Sequence, residues 1–412
     1  MNNTNVFWRL VIIVIFIIMA SQILQISGQL VSKLRIDFIG IYTGGYMIAK
    51  GGVNNVYDLN SQYFYQQQLI SNLNHIKSLL VFLYPPPIAL LISLFALFPL
   101  SEAYLLWGLF NLLLLGLLVG FIYKIVLYQI NEKIKYINPF YFIIMILLFR
   151  PIWIAIFQGQ FSIILLTIFW LIWYLLKQKQ YYTAGLVLSG LILRPHLLII
   201  PLLLFFFKKQ WRLIAGFLSG ILIVIFITMI VMGPDIWWRY LIFLKRILFI
   251  GNNNVTLIQL GFTVRGLLQY FYKTNNIKTV LFPLLIIDSI IVSLLLYFWK
   301  GKLLFKKNRF DIQWGLLIMT VILISPHFNY HDVSLLTIPI ILILISFINK
   351  ITVMKIRQYG SLIYWITLLT ILSISIIGSF AIIDGFNSLI NLTLFVLLIF
   401  LLKNRNLQLW ND

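Results

Sequence analysis

The sequence predicts an all-α integral membrane protein, a polytopic bundle of about 12 transmembrane helices forming a single membrane domain over residues 1–412. Three observations carry that expectation. Hydrophobic residues make up 62% of the chain and charged residues only 10%, with a mean hydropathy of +1.01. A soluble domain carries roughly 25% charged residues, so lipid must solvate much of this surface. Apolar runs near the spanning length of about 20 residues recur from end to end. The runs do not alternate apolar and polar residues as barrel strands do, so helices must satisfy the backbone.

In order, the runs cover 7–27, 79–100, 103–128, 139–157, 161–176, 184–207, 213–232, 280–299, 314–325, 333–348, 362–383 and 389–402. The first is longer than a signal-peptide core and lacks a clear small-x-small cleavage site, which predicts an uncleaved helix. Net charge is +21, with Lys and Arg placed mostly between apolar runs. That spacing points to topology and lipid headgroup contact, with no nucleic acid as partner. The absence of cysteine excludes disulfides, thiolate metal sites and thiol nucleophiles.

Basic loops at 208–212, 300–309, 350–357 and 403–405 are expected in the cytoplasm. The segments between them then face outward, including the two long extracytoplasmic loops 28–78 and 233–278. Strict alternation would place the basic stretches 124–135 and 177–179 outside, against the same rule. Two non-crossing segments resolve the conflict. One is a re-entrant hairpin over 184–207 with Arg194-Pro195-His196 at its tip. The other is 79–100, broken by Tyr84-Pro85-Pro86-Pro87.

In the first long loop, Phe38, Ile41, Tyr42, Gly45, Ile48 and Ala49 recur at helical spacing, which predicts an amphipathic helix lying in the interface. Asp58 is placed to cap a second short helix over 62–70. The second long loop has a candidate interfacial stretch at 257–272. Gly116-x-x-x-Gly120 and Gly216-x-x-x-Gly220 read as small-residue helix contacts.

Only ten acidic residues exist, so each can be weighed. Asp37 follows the first span by about ten residues, near the plane of lipid phosphates; the alternative reading is a helix N-cap. Ser325-Pro326-His327-Phe328-Asn329-Tyr330-His331-Asp332 is a polar break that gathers two of the four histidines beside a carboxylate. Its His-x-x-x-His spacing follows a proline that opposes a regular helix, so no metal site is expected. Arg194 interrupts an apolar run and needs a partner, water or an interface; a phosphate would suit it. Gln158-Gly159-Gln160 reads by itself as a turn. Nucleotide-binding loops and serine hydrolase elbows are lacking.

Taken in order, these pieces resemble glycosyltransferase family 87, the polyprenol-phosphate-mannose-dependent mannosyltransferases of the GT-C superfamily. The resemblance rests on Asp37-Phe38 with Tyr42, Gly51-Gly52, Val56-Tyr57-Asp58, Phe82-Leu83-Tyr84-Pro85-Pro86, Phe98-Pro99-Leu100, Gly159-Gln160, Gly185 to Leu193 leading into Arg194-Pro195, Ser325-Pro326, and His331-Asp332 before Pro339. It departs from the family at Arg194, where members commonly carry lysine. Tyr330 and Asp332 likewise stand where members carry tryptophan and a second histidine.

The resemblance implies a GT-C-like membrane enzyme that moves a hexose, mannose first among them, from a polyprenyl-phosphate sugar to a hydroxyl of a glycan or glycolipid. Transfer would invert the anomeric centre on the outer face of a bacterial plasma membrane, without cofactor or metal. It implies Asp37 as general base, with Arg194, His331, Lys33 and Arg35 toward the donor phosphate. Tyr42, Tyr84, Gln160, His327 and Asp332 would line the substrates. The main rival is a transporter or flippase of lipid-linked sugars, which would show inverted repeats and charges at the bilayer midplane. An O-antigen polymerase-like enzyme, with its key groups in one late outer loop, and a silent assembly partner are further alternatives.

Overall fold

The computed structural model describes residues 37–69, 79–130, 140–250, 262–274, 276–301, 305 and 308–350. The apolar runs expected at 7–27, 362–383 and 389–402 lie outside the described residues, as do Lys33 and Arg35. No strand occurs among the described residues. The helices are α1 (Phe38–Ala49), α2 (Leu59–Leu69), α3 (Pro86–Phe95), α4 (Leu100–Ile130), α5 (Phe140–Leu147), α6 (Arg150–Phe157), α7 (Ser162–Lys177) and α8 (Tyr181–Ser189). There follow α9 (Pro195–Phe207), α10 (Trp211–Met232), α11 (Ile236–Ile250), α12 (Val264–Phe271), α13 (Ile277–Phe298), α14 (Asn308–Ile324) and α15 (Thr337–Lys350). Among the described residues, α4, α10 and α13 are the helices long and apolar enough to cross a membrane alone.

Several expected spans are broken, each for a local reason. The run 139–157 divides because Arg150-Pro151 opens a new helix, with proline tolerated in its first turn. The run 333–348 begins instead as a 3-10 helix over Tyr330–Leu336. In 79–100, residues 79–85 are extended and only Pro86–Phe95 is helical.

An extended segment without a sheet leaves backbone groups to satisfy. Here α2 supplies them with side chains. Gln66 accepts from the Leu80 amide at 2.9 Å and donates to the Leu80 carbonyl at 3.1 Å. Gln62, one turn earlier, accepts from the Phe82 amide at 2.9 Å and donates to its carbonyl at 3.3 Å. The helix thus buries Gln62 and Gln66 and exposes Tyr63 and Phe64. Its N-terminus is capped by Asp58, which accepts from the Ser61 amide and hydroxyl at 2.8 Å.

The interfacial amphipathic helix expected at Phe38–Ala49 is corrected by the structure. α1 is a helix there, but nine of its twelve residues are buried on all sides. Gly44 and Gly45 let it press against Phe82 and Ile92, where a Cβ would come within 2.5 Å and 2.6 Å respectively. The apolar spacing predicts one buried face, and the small residues on the other face make it a second packing surface.

Contacts at the helix ends give the chain's direction. α8 and α10 run parallel: Gly216 meets the Tyr182 carbonyl, Gly185 meets Leu213 and Phe217, and Gly220 meets Ser189. The end of α9 joins the start of α10 through three residues, 208–210, so it lies level with the start of α8. α8 and α9 therefore form a hairpin that leaves and returns to one end of the bundle, with Arg194 at its tip. α3 also does not cross. Tyr84 at its start reaches Gln160, and Phe95 at its end packs on Trp107, whose indole donates to the Gly159 carbonyl.

Basic groups gather at the other end. Lys177 pairs with the fully buried Asp311 at 2.7 Å, and Trp173 donates to the same carboxylate at 2.9 Å. Lys208 donates to the Gly301 carbonyl, and Tyr181 packs against Phe305. Between that pair and the contact of Ser162 with Asp332 at the opposite end lies the whole of α7. Its 16 residues rise about 24 Å, close to a hydrocarbon core.

The two GxxxG pairs differ. A Cβ on Gly216 would sit 2.0 Å from the Tyr182 carbonyl oxygen, whereas one on Gly116 or Gly120 meets nothing within 4 Å among the described residues. No small-residue contact at Gly116 and Gly120 is seen among the described residues. Gly216→Ala is expected to lose folded protein, measured by the monodisperse peak after detergent extraction, because overpacking typically costs about 1–3 kcal/mol. Gly116→Ala should leave that peak unchanged; equal loss from both would refute the assignment of the contact.

Candidate active site

The site forms where four polar interruptions of the apolar sequence meet at the end away from the basic loops. Asp37 stands at the N-cap position of α1, yet its side chain caps nothing. Its carboxylate instead accepts from Gln160 Nε2 at 2.7 Å, across 123 residues of sequence. Gln160 follows a tight helix ending. Gly159 has φ +67, the Gly159 amide returns to Ile156 and the Gln160 amide to Ala155. Glycine serves twice here, since a Cβ at 159 would also meet Phe38 Cβ at 2.6 Å. The close approach of Phe38 is what brings Asp37 to Gln160.

Gln160 Oε1 accepts from the Tyr84 hydroxyl at 3.1 Å and from Arg194 at 3.1 Å. Burial pushes the Tyr84 phenol up to about 12, against the lowering effect of Arg194, so it is a donor throughout the neutral range. Arg194 stands at the break between a 3-10 turn, Gly190–Leu193, and α9, where Pro195 cannot extend the preceding turn. Its guanidinium forms an ion pair with Asp332 and approaches His331 Nε2 at 3.3 Å. The same Nε2 lies 3.4 Å from the Asp332 carboxylate. His331 Nδ1 donates to Gln158 Oε1 at 2.9 Å.

Asp332 is fully buried and accepts from Arg194, from the Ser162 hydroxyl at 2.8 Å and from the Asn329 amide at 3.2 Å. Four protein groups surround this carboxylate if His331 Nε2 at 3.4 Å is counted. It is therefore the counter-ion that holds Arg194 in place, and the idea of an arginine snorkelling to the interface is replaced by a buried pair.

The sequence-derived candidates thus divide. Asp37, Tyr84, Gln160, Arg194, His331 and Asp332 form one connected network. Tyr42 lies one turn along α1 and donates to the Phe98 carbonyl at 2.7 Å, so it packs beneath the network without joining it. His327 is exposed in the loop after α14. Ser162 carries no signal in the sequence, and Gln158 reads there only as part of a turn. The signal for Gln158 was present, because a Gln-Gly-Gln step between two apolar runs places two amides at a helix mouth. Among the described residues no group of three or more His, Cys, Asp or Glu could hold a metal.

A helical chain with spans of membrane length and, among the described residues, a connected polar network around Asp37, Arg194 and Asp332 at one end of the bundle has the build of a membrane-embedded enzyme. Comparison with known families matches residues 82–326, more than half of the chain, to glycosyltransferase family 87, and the protein belongs to that family. It is accordingly a membrane glycosyltransferase. No curated protein and no solved structure gives a significant match. The family assignment sets aside the transporter reading.

Proposed function

We propose that the protein transfers a hexose, mannose first among the candidates, from a polyprenyl-phosphate sugar to a hydroxyl of a glycan or glycolipid at the extracytoplasmic face of a bacterial plasma membrane. The observation that carries this reading is the placement of Asp37 and Arg194 on opposite ends of one Gln160 side chain. A carboxylate that can take a proton and a cation that can meet a phosphate are then separated by one carboxamide.

In the proposed reaction the acceptor oxygen attacks the anomeric carbon while Asp37 removes its proton. The bond from that carbon to the phosphate oxygen breaks, and the polyprenyl phosphate leaves with the electron pair. Attack from the side opposite the phosphate inverts the centre. Arg194 and His331, with Lys33 and Arg35 from the segment before Asp37, would stabilise the leaving phosphate. Tyr84 adds a neutral donor beside them. The assay is transfer by purified protein from radiolabelled polyprenyl-phosphate mannose or glucose to a membrane lipid extract. Transfer from a nucleotide sugar without lipid-linked donor would overturn the donor assignment.

Orientation has its own test. The basic groups at the end of the bundle away from the network favour the cytoplasm, which supports an outward-facing network. The native chain has no cysteine, so Asn60→Cys in α2 and Lys179→Cys after α7 can be labelled without background. An impermeant thiol reagent added to intact cells is expected to modify the first and spare the second. The reverse pattern would place the site in the cytoplasm.

A further inference from the structure

The polarity of Gln160 is set by its neighbours. Asp37 can only accept from it and Arg194 can only donate to it. The amide nitrogen must therefore face Asp37 and the carbonyl oxygen must face Arg194 and Tyr84. Asp37 has no cap to make, and the residue after it is fixed by packing: Phe38 stacks on Trp107 and tilts against Tyr104. The Gln160 backbone is itself held, through the Gly159 turn and the Trp107 bond to the Gly159 carbonyl.

We propose that Gln160 is the positioning residue of this enzyme: one carboxamide orients the Asp37 carboxylate as the base and ties its location to the Arg194 cation. The proposal rests on the general-base reading of Asp37. Gln160 itself touches no reacting atom. It donates to the carboxylate at 2.7 Å and so restricts it to one rotamer. Asparagine, one methylene shorter, cannot reach both partners. Glutamate has the same shape and can still accept from Arg194 and Tyr84, but it presents an oxygen to Asp37. Two carboxylates at that spacing cannot both be ionised, so they share a proton.

The experiment measures kcat, donor KM and the pH profile of kcat/KM with radiolabelled polyprenyl-phosphate mannose, or whichever lipid-linked hexose the purified protein uses. Gln160→Ala is expected to lower kcat by about 10²-fold, the cost of misplacing a reacting group by about 1 Å, with little change in donor KM. Gln160→Glu is expected to move the acid limb of kcat/KM to higher pH by more than about one unit. A residue that merely packed would leave that limb where it is. If Gln160→Ala does not fold, the isosteric Gln160→Glu decides. Wild-type kcat and an unmoved acid limb in Gln160→Glu, alongside an inactive Asp37→Asn, would overturn the positioning role and leave the base assignment standing. Normal transfer by Asp37→Asn would overturn both.

Discussion

Asp37→Asn is expected to lower sugar transfer by about 10²–10⁴-fold, the usual worth of general-base assistance, while expression and donor binding persist. Asparagine keeps the shape of the side chain. Its amide oxygen can still accept from Gln160, so the contact that places residue 37 survives. What is lost is the ability to take a proton from the acceptor. Asp58→Asn is the matched control. Asp58 lies in the same polar segment, but its carboxylate is occupied by the Ser61 amide and hydroxyl, and asparagine caps a helix as well as aspartate does. Transfer should fall in the first variant and persist in the second. Equal rates in both would remove Asp37 from the chemistry, whatever the family implies.

Asp332→Asn is expected to destabilise the protein by about 3–5 kcal/mol, because it leaves the buried Arg194 guanidinium without its counter-ion. The readout is the unfolding midpoint of purified protein in detergent. Adding Arg194→Met to that variant should recover most of the stability, since both halves of the pair are then gone, while transfer stays absent. A wild-type midpoint for Asp332→Asn would mean that the pair does not hold the site together. The same pairing changes how Arg194 must be tested. Arg194→Gln alone strands a buried carboxylate, so lost activity in it mixes folding with chemistry. Arg194→Lys keeps a charge near Asp332 but loses the planar fork that serves Asp332, Gln160 and His331 together.

Composition and apolar run length are local quantities, and they were sufficient for the all-helical membrane class. Helix breaks were legible wherever a proline or a charge marked them. Pro85-Pro86-Pro87 ends the extended segment and opens α3, and Arg194-Pro195 turns the hairpin between α8 and α9. Arg150-Pro151 carries the same kind of mark, but the flanking runs together have the length of one ordinary span, which hides the division.

What tertiary structure alone decided is which polar groups meet. Read by itself, Asp37 could cap a helix, Arg194 could reach for the interface, and Gln158-Gly159-Gln160 could be a turn. Each of those readings needs only neighbours in sequence. The contacts that replace them span 123 residues from Asp37 to Gln160 and 138 from Arg194 to Asp332. Periodicity cannot report a partner at that distance. α1 shows the same limit: its spacing predicted a helix with one buried face, but only the approach of Phe82 and Ile92 to Gly44 and Gly45 buried the other. Helix formation follows from the residues of each segment, whereas a buried charge is stable only where folding supplies its complement.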